Sequence, residues 1–262
     1  MKKNFRTSFI VALALCGIGA CKKKFDSFAA NPIFITDQAF LRVMHVSPNF
    51  RAIQNYPDSF NIYVGKDKIN GTIFTYNSAF PAASMNVNTY ASVPSGAQQI
   101  RLSLQGVNTI DSLTIISLQK VLGAGKYYTL FITDSLNSQQ DSTKIWKNDV
   151  NFLPTDTSQY KIRFAHMILN DTAGKKVDVY SFRQGANIFS GISPGTITDY
   201  TAITAPSVFD TISIRRAGTT QELAKISNNV LYGKSRLYTI LYRGTSGTAG
   251  TKPRGGLIYN NR

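Results

Sequence analysis

From Ala39 onward the apolar positions fall into short segments rich in Val, Ile, Thr, Tyr and Phe, separated by clusters of Gly, Pro, Asn, Asp and Ser. Such segments, punctuated by turn residues, read as β-strands, and no stretch keeps the 3.6-residue period of a long helix. In the first half the pattern predicts strands over 40–47, 60–65, 72–76, 85–93, 98–105, 113–119 and 126–133. Turns are expected at Ser47-Pro48-Asn49, Pro94-Ser95-Gly96 and Gly123-Ala124-Gly125. Strands this short and regularly spaced predict an all-β fold built from antiparallel β-sandwiches, immunoglobulin-like or transthyretin-like in kind.

The second half repeats the first in the same order. LRVMHVSPN from Leu41 matches IRFAHMILN from Ile162, FNIYV at Phe60 matches VDVYS at Val177, and VLGAGKYYTLF at Val121 matches VLYGKSRLYTILY at Val230. Strand order is kept while loop lengths drift, as expected of a duplicated unit. The organisation predicted is two tandem sandwich domains, 39–135 and 160–262, with a junction at 136–159. The only tryptophan, Trp146, stands in that junction. Residues 144–152 read either as a last strand of the first domain or as a segment packed between domains, where an aromatic side chain is worth most if buried.

These motifs resemble a family. The opening strand ending in His, the Tyr strand after it, the SVPSG turn at 92–96 and the closing Gly-Lys-Tyr-Tyr-Thr strand are similar to domain of unknown function 4397, found in cell-envelope lipoproteins of Bacteroidota-type bacteria. The resemblance covers about residues 39–245. It implies a β-sandwich with a binding or structural role and transfers no active site.

Ahead of the strands, Lys2, Lys3 and Arg6 precede an apolar run, 9–18, that is too short to span a bilayer comfortably. The run ends in Ile18-Gly19-Ala20-Cys21, the form of a bacterial lipoprotein signal. Residues 1–20 are therefore expected to be a signal peptide, Cys21 the lipidation site and 21–38 an acylated tether. The location implied is the outer membrane, lipid-anchored, facing the periplasm or the cell surface. Cys16 and Cys21 are the chain's two cysteines, so after processing no thiol is left for a disulfide, a metal or a nucleophile.

A net charge of +15 makes the chain strongly basic, and it stays so after Lys2, Lys3 and Arg6 are removed. The cations are scattered along the chain and not gathered in one arm or helix face, which argues against nucleic acid as a partner.

His45 and His166 are the only histidines and hold equivalent positions. By strand parity each lies on the apolar face, beside Leu41 and Val43 or Ile162 and Phe164, which predicts a repeated structural hydrogen bond in place of a metal or catalytic pair. Gly191-Ile192-Ser193-Pro194-Gly195 fits the nucleophile-elbow pattern, but Pro194 has no N–H to offer an oxyanion, and a hairpin turn is the expected reading. Glu222 is the only glutamate, and Asp58, Asp67, Asp111, Asp178, Asp199 and Asp210 read as solvated turn or strand-end residues without paired spacing. No cofactor is implied.

The remaining resource is aromatic: 13 Tyr and 16 Phe. Phe50, Tyr56, Tyr76, Phe80, Tyr90, Phe189 and Tyr200 fall in or beside loops, where a ring either plugs the end of a sandwich or stacks on a ligand. The function expected is a non-catalytic binding or scaffolding role toward a glycan or another envelope protein, through loops at a sandwich end or a cleft between domains. The alternatives are an esterase-like envelope hydrolase acting through Ser193 and a passive spacer.

Overall fold

A computed structural model describes residues 37–84, 87–104, 114–134, 146–149, 158–169, 175–204, 209–231, 233–246 and 252–261. Cys16, Cys21 and the rest of the expected signal and tether up to residue 36 lie outside the described residues. In the first half the strands are β1 (Gln38–His45), β2 (Ser59–Val64), β3 (Asp67–Lys68), β4 (Phe74–Thr75), β5 (Ala79–Phe80), β6 (Ala83–Ser84), β7 (Val87–Asn88), β8 (Ala91–Pro94), β9 (Gly96–Leu104), β10 (Thr114–Leu122), β11 (Tyr127–Ile132) and β12 (Trp146–Asp149). The second half holds β13 (Gln159–His166), β14 (Val177–Ser181), β15 (Ala186–Ile192), β16 (Thr201–Thr204), β17 (Phe209–Arg216), β18 (Glu222–Leu231), β19 (Leu237–Arg243) and β20 (Gly255–Asn260). Among the described residues one short helix, Phe50–Gln54, follows β1.

The chain is all-β, as the pattern predicts, and its sheets pack face to face. The first half has an outer sheet in the order β10-β9-β2-β3 and an inner sheet in the order β12-β11-β1-β5, with β8 also on β1. The second half repeats this with an outer sheet β15-β14-β17-β18 and an inner sheet β16-β13-β19-β20. Among the described residues pairing is antiparallel except at one place in each half: β1 runs parallel to β11, with Arg42 opposite Thr129, and β13 runs parallel to β19, with Arg163 opposite Thr239. Pairing the opening strand with a strand from the far end of its own half closes each unit across its full sequence length.

Three apolar clusters separate the four main sheets. Leu41, Val43, Phe60, Ile62, Ile100 and Leu130 fill the first sandwich, and Ile162, Phe164, Val179, Ile214 and Ile240 fill the second. Between the inner sheets lies a third cluster of Met44, Val46, Phe131, Ala165, Met167, Leu241 and Tyr259. Each large side chain buried there contributes about 1.5–3 kcal/mol relative to exposure. The inner sheets are thus covered on both faces, and Asp37–Arg262 form one compact unit.

Two expected elements differ. In the strand expected over 85–93 the described residues form β7, paired with β6, and β8, with a break between them where the Thr89 carbonyl is taken by the Arg42 guanidinium through Nε at 3.0 Å and Nη2 at 2.7 Å. Of the segment expected over 144–152, the described residues 146–149 form a strand of the first half, with Trp146 on that half's core and not at the joint. As β12 this strand pairs antiparallel with β11, and Asp149 reaches into the layer between the halves.

Candidate functional site

The seam between the two inner sheets collects the most unusual chemistry among the described residues. Alternation in β1 and β13 sends Leu41, Val43 and His45, and their counterparts, into the sandwich cores, and so sends Arg42 and Arg163 toward the other half. Both arginines are fully buried, at 0% exposure. Arg163 makes an ion pair through Nη2 with Asp149 Oδ1, across the seam, and its Nε donates to Thr239 Oγ1 at 2.9 Å. Burial opposes the charge on Arg163, but the adjacent Asp149 outweighs it and holds its pKa above the ordinary value. Among the described residues Arg42 has no carboxylate partner. It donates to the Thr89 carbonyl and, across the seam, to the Asn260 carbonyl at 3.1 Å, while its guanidinium lies 4.1 Å from the Tyr90 ring and 5.2 Å from that of Tyr259.

A pseudo-twofold relation organises these groups. Arg42 corresponds to Arg163, Thr129 to Thr239, and Tyr90, just before β8, to Tyr200, just before β16. Asp149 pairs with Tyr127 at the end of β12, and Asn261 stands at the same place beside Leu237. Thr129 donates to Asp149 Oδ2 at 2.6 Å, and Thr239 donates to Asn261 Oδ1 at 2.5 Å. Tyr90 bridges the two ends: its hydroxyl donates to Asp149 Oδ2 at 2.8 Å and accepts from Asn261 Nδ2 at 3.1 Å. Burial and the Asp149 charge raise the Tyr90 pKa well above that of a free phenol. The network is a clamp of charge-assisted hydrogen bonds in which Arg163 takes the one carboxylate and Arg42 is held by carbonyls and ring faces, while Arg163 Nη1 has no hydrogen-bond partner among the described residues.

A second contact joins the halves nearer His45. Lys252, in the segment between β19 and β20, forms an ion pair of 2.6 Å with Asp58 and lies 4.6 Å from the Tyr76 ring. Beside it a small cleft of about 40 Å³ is lined by Met44, Asn77, Ala79, Leu241, Arg243 and Leu257, among others. Among the described residues the space between the inner sheets is taken up by the shared apolar cluster and the arginine network.

No family model and no curated protein matches the chain. Among solved structures it is similar to the Bacillus anthracis TIE protein at 10% identity and a TM-score of 0.20. The match covers 80% of this chain and 34% of that one, so this chain spans about a third of that protein's length.

The aromatic residues singled out in the sequence go to different places. Phe50 and Phe189 are buried, at 1% and 9% exposure; Phe50 lies against His45 and Phe60, and Phe189 against Phe164. Phe80 packs on the first core. Tyr90 and Tyr200 enter the seam, and Tyr76 lies 5.9 Å from the His45 ring at its edge. Tyr56 alone is exposed, at 42%. Packing between sheets takes up the others because a large ring gains more from full burial than from a loop position.

The histidines sit on the apolar faces, as parity predicts, and the expected repeated hydrogen bond is present only in loose form: the backbone of Asp58 approaches His45 and that of Lys175, its equivalent, approaches His166, each weakly favouring the protonated ring. His45 lies among the rings of Phe50, Phe60, Phe74 and Tyr76, and its Nδ1 only accepts a long 3.4 Å bond from the Ser47 amide. Its Nε2 and both ring nitrogens of His166 have no partner in good geometry among the described residues. Burial lowers the pKa of His45 to about 3, against a weaker opposing pull from Asp58, and that of His166 to about 4. Two aspartates expected in solvent are also buried, because each ties down loop amides. Asp178 accepts from Gly191 and Gly218 at 2.7 and 2.9 Å, and Asp210 accepts from Ser181, Arg183 and Thr211.

Ser193 has a structural account. His166 N donates to Thr196 O and Gly195 N to His166 O, which repeats His45 N to Ser78 O and Asn77 N to His45 O. Thr196 N closes on Ser193 O at 3.2 Å as Ser78 N closes on Thr75 O at 3.2 Å. Ser193-Pro194-Gly195-Thr196 is thus the second copy of the Thr75–Ser78 turn, with Pro at its second position and positive φ at its third, +78° at Gly195 and +68° at Asn77.

The seam arginines were missed by the sequence reading, since a lone Arg beside an apolar face resembles a solvent residue. A signal was available. The runs YYTLFI in β11 and LYTILY in β19 are apolar without alternation, the mark of a strand buried on both faces.

Proposed function

We propose that the protein is a lipid-anchored envelope lipoprotein, of the kind the resemblance to domain of unknown function 4397 implies, that binds an envelope component and does not transform it. The observation that carries this reading is the seam. Arg163–Asp149, Arg42–Asn260 and the shared apolar cluster weld the duplicated sandwiches into one body. A rigid body tethered by Cys21 presents its outer faces and loop ends at fixed spacing, which lowers the ordering cost of binding.

The test is a pull-down of envelope fractions with the full chain in detergent, beside mass spectrometry of the mature N-terminus. Recovery of a specific polysaccharide or protein, with acyl mass on Cys21, is the expected outcome. An unacylated Cys21, or no retained component, overturns the reading.

A further inference from the structure

We propose that the outer face of the second half, around Tyr180, Phe182, Arg215 and Lys225, binds an acidic polysaccharide. The inference rests on the reading of the protein as an envelope binder and names the site and the ligand class. The duplication supplies an internal comparison. In the first half Tyr63 and Arg101 lie on the outer face of β2 and β9, and Arg101 is 6% exposed with Nη2 donating to the Gly65 carbonyl at 2.6 Å. Gly65 directly follows β2, at φ +61°.

The residue that directly follows β14 is Phe182, and it is 48% exposed. Its ring meets Tyr180 edge-on at 5.3 Å. Arg215 lies 3.6 Å from the Tyr180 ring and 5.5 Å from Phe182, and its Nε makes only a long 3.4 Å bond, to Ser213 Oγ. On the other side the exposed Lys225 stands 5.3 Å from the Phe182 ring. The one glutamate, Glu222, borders the patch and accepts from Ser213 Oγ at 2.8 Å.

Where the first half spends its arginine on its own backbone, the second places a partly buried arginine against two rings and adds an exposed cation. Phe182 thus presents its ring to solvent beside Tyr180, between a guanidinium and an ammonium, so aromatic faces and cations stand together on one surface. The C–H face of a sugar stacks on the rings, and its carboxylate meets the planar N–H edge of Arg215 and the Lys225 ammonium. Locally, Arg215 and Lys225 place two cations beside the rings against the single carboxylate of Glu222, which favours an anionic partner at this face.

The test titrates the full chain in detergent with oligogalacturonate, with a neutral galacto-oligosaccharide of the same length and phosphatidylglycerol vesicles as separate arms. Binding of oligogalacturonate is expected. Phe182→Ala and Arg215→Gln should each weaken it about tenfold or more, as loss of a stacking ring or a charged fork does, with unchanged melting temperature, and Tyr56→Ala should leave it intact. Wild-type affinity in both variants, equal binding of the neutral oligosaccharide, or binding to the vesicles alone overturns the proposal. If both variants still recover the same component from envelope fractions, the binder reading stands and this site falls. If envelope recovery fails while oligogalacturonate binding shows the expected losses, the site stands and the broader reading falls.

Discussion

Asp149 and Asn261 occupy the same place at the ends of corresponding edge strands, each receiving a threonine hydroxyl, yet only Asp149 carries a charge. The seam therefore holds a salt bridge on one side of its pseudo-twofold axis and a neutral counterpart on the other. The arrangement makes the two sides differ in what a substitution costs.

Asp149→Ala leaves Arg163 buried without its carboxylate and should lower stability by about 3–5 kcal/mol, whereas Asn261→Ala, removing neutral hydrogen bonds, should cost about 1–2 kcal/mol. Urea unfolding of the two variants side by side measures the difference. Adding Arg163→Met to Asp149→Ala should recover part of the loss, since an apolar side chain needs no counter-charge. Equal costs for the two single variants would contradict the asymmetry.

Acid should destabilise the fold through its two histidines. Both are held neutral, with pKa values near 3 for His45 and 4 for His166, below the ordinary 6.5. The unfolded chain binds their protons first as pH falls, so the penalty is absent above pH 6.5 and grows down to about pH 4 for His166 and pH 3 for His45. The slope is roughly 1.4 kcal/mol per pH unit for each histidine. Unfolding free energies at pH 7 and pH 5 should show the loss, and His45→Phe should reduce the slope by about half.

Tyr128 and Tyr238 close the same corner in each copy, accepting the Gly123 amide at 2.9 Å and the Gly233 amide at 2.7 Å. Replacing either by Phe leaves that amide without its partner and should cost about 1 kcal/mol, with the two losses adding in the double variant. Thermal or urea melts of the three variants check both the size and the additivity.

The turn at Ser193 predicts opposite outcomes for neighbouring residues. Ser193→Ala removes a hydroxyl from an exposed position and should change stability by less than about 0.5 kcal/mol. Gly195→Ala places a side chain at φ +78° and should cost about 1 kcal/mol or more. Any esterase activity of the preparation should be identical in Ser193→Ala and wild type; its loss would give Ser193 a role beyond the turn.

The β class, most strand positions and the duplication were legible in the sequence because they rest on local patterning. Turn residues break the strands at Pro94-Ser95-Gly96 and Gly123-Ala124-Gly125, and the matched Leu41 and Ile162 strands carry the same alternation. The parity of His45 and His166 followed from a period of two alone. What surrounds each residue did not follow. Arg42 and Arg163 look alike in sequence, and only the approach of the second inner sheet buries both and gives just one of them a carboxylate. The parallel pairing of β1 with β11, the filling of the seam and the exposure of Phe182 are equally non-local. Period-two patterning states which side of a strand a residue is on, but the contents of that side depend on chains that are far away in sequence and meet only on folding.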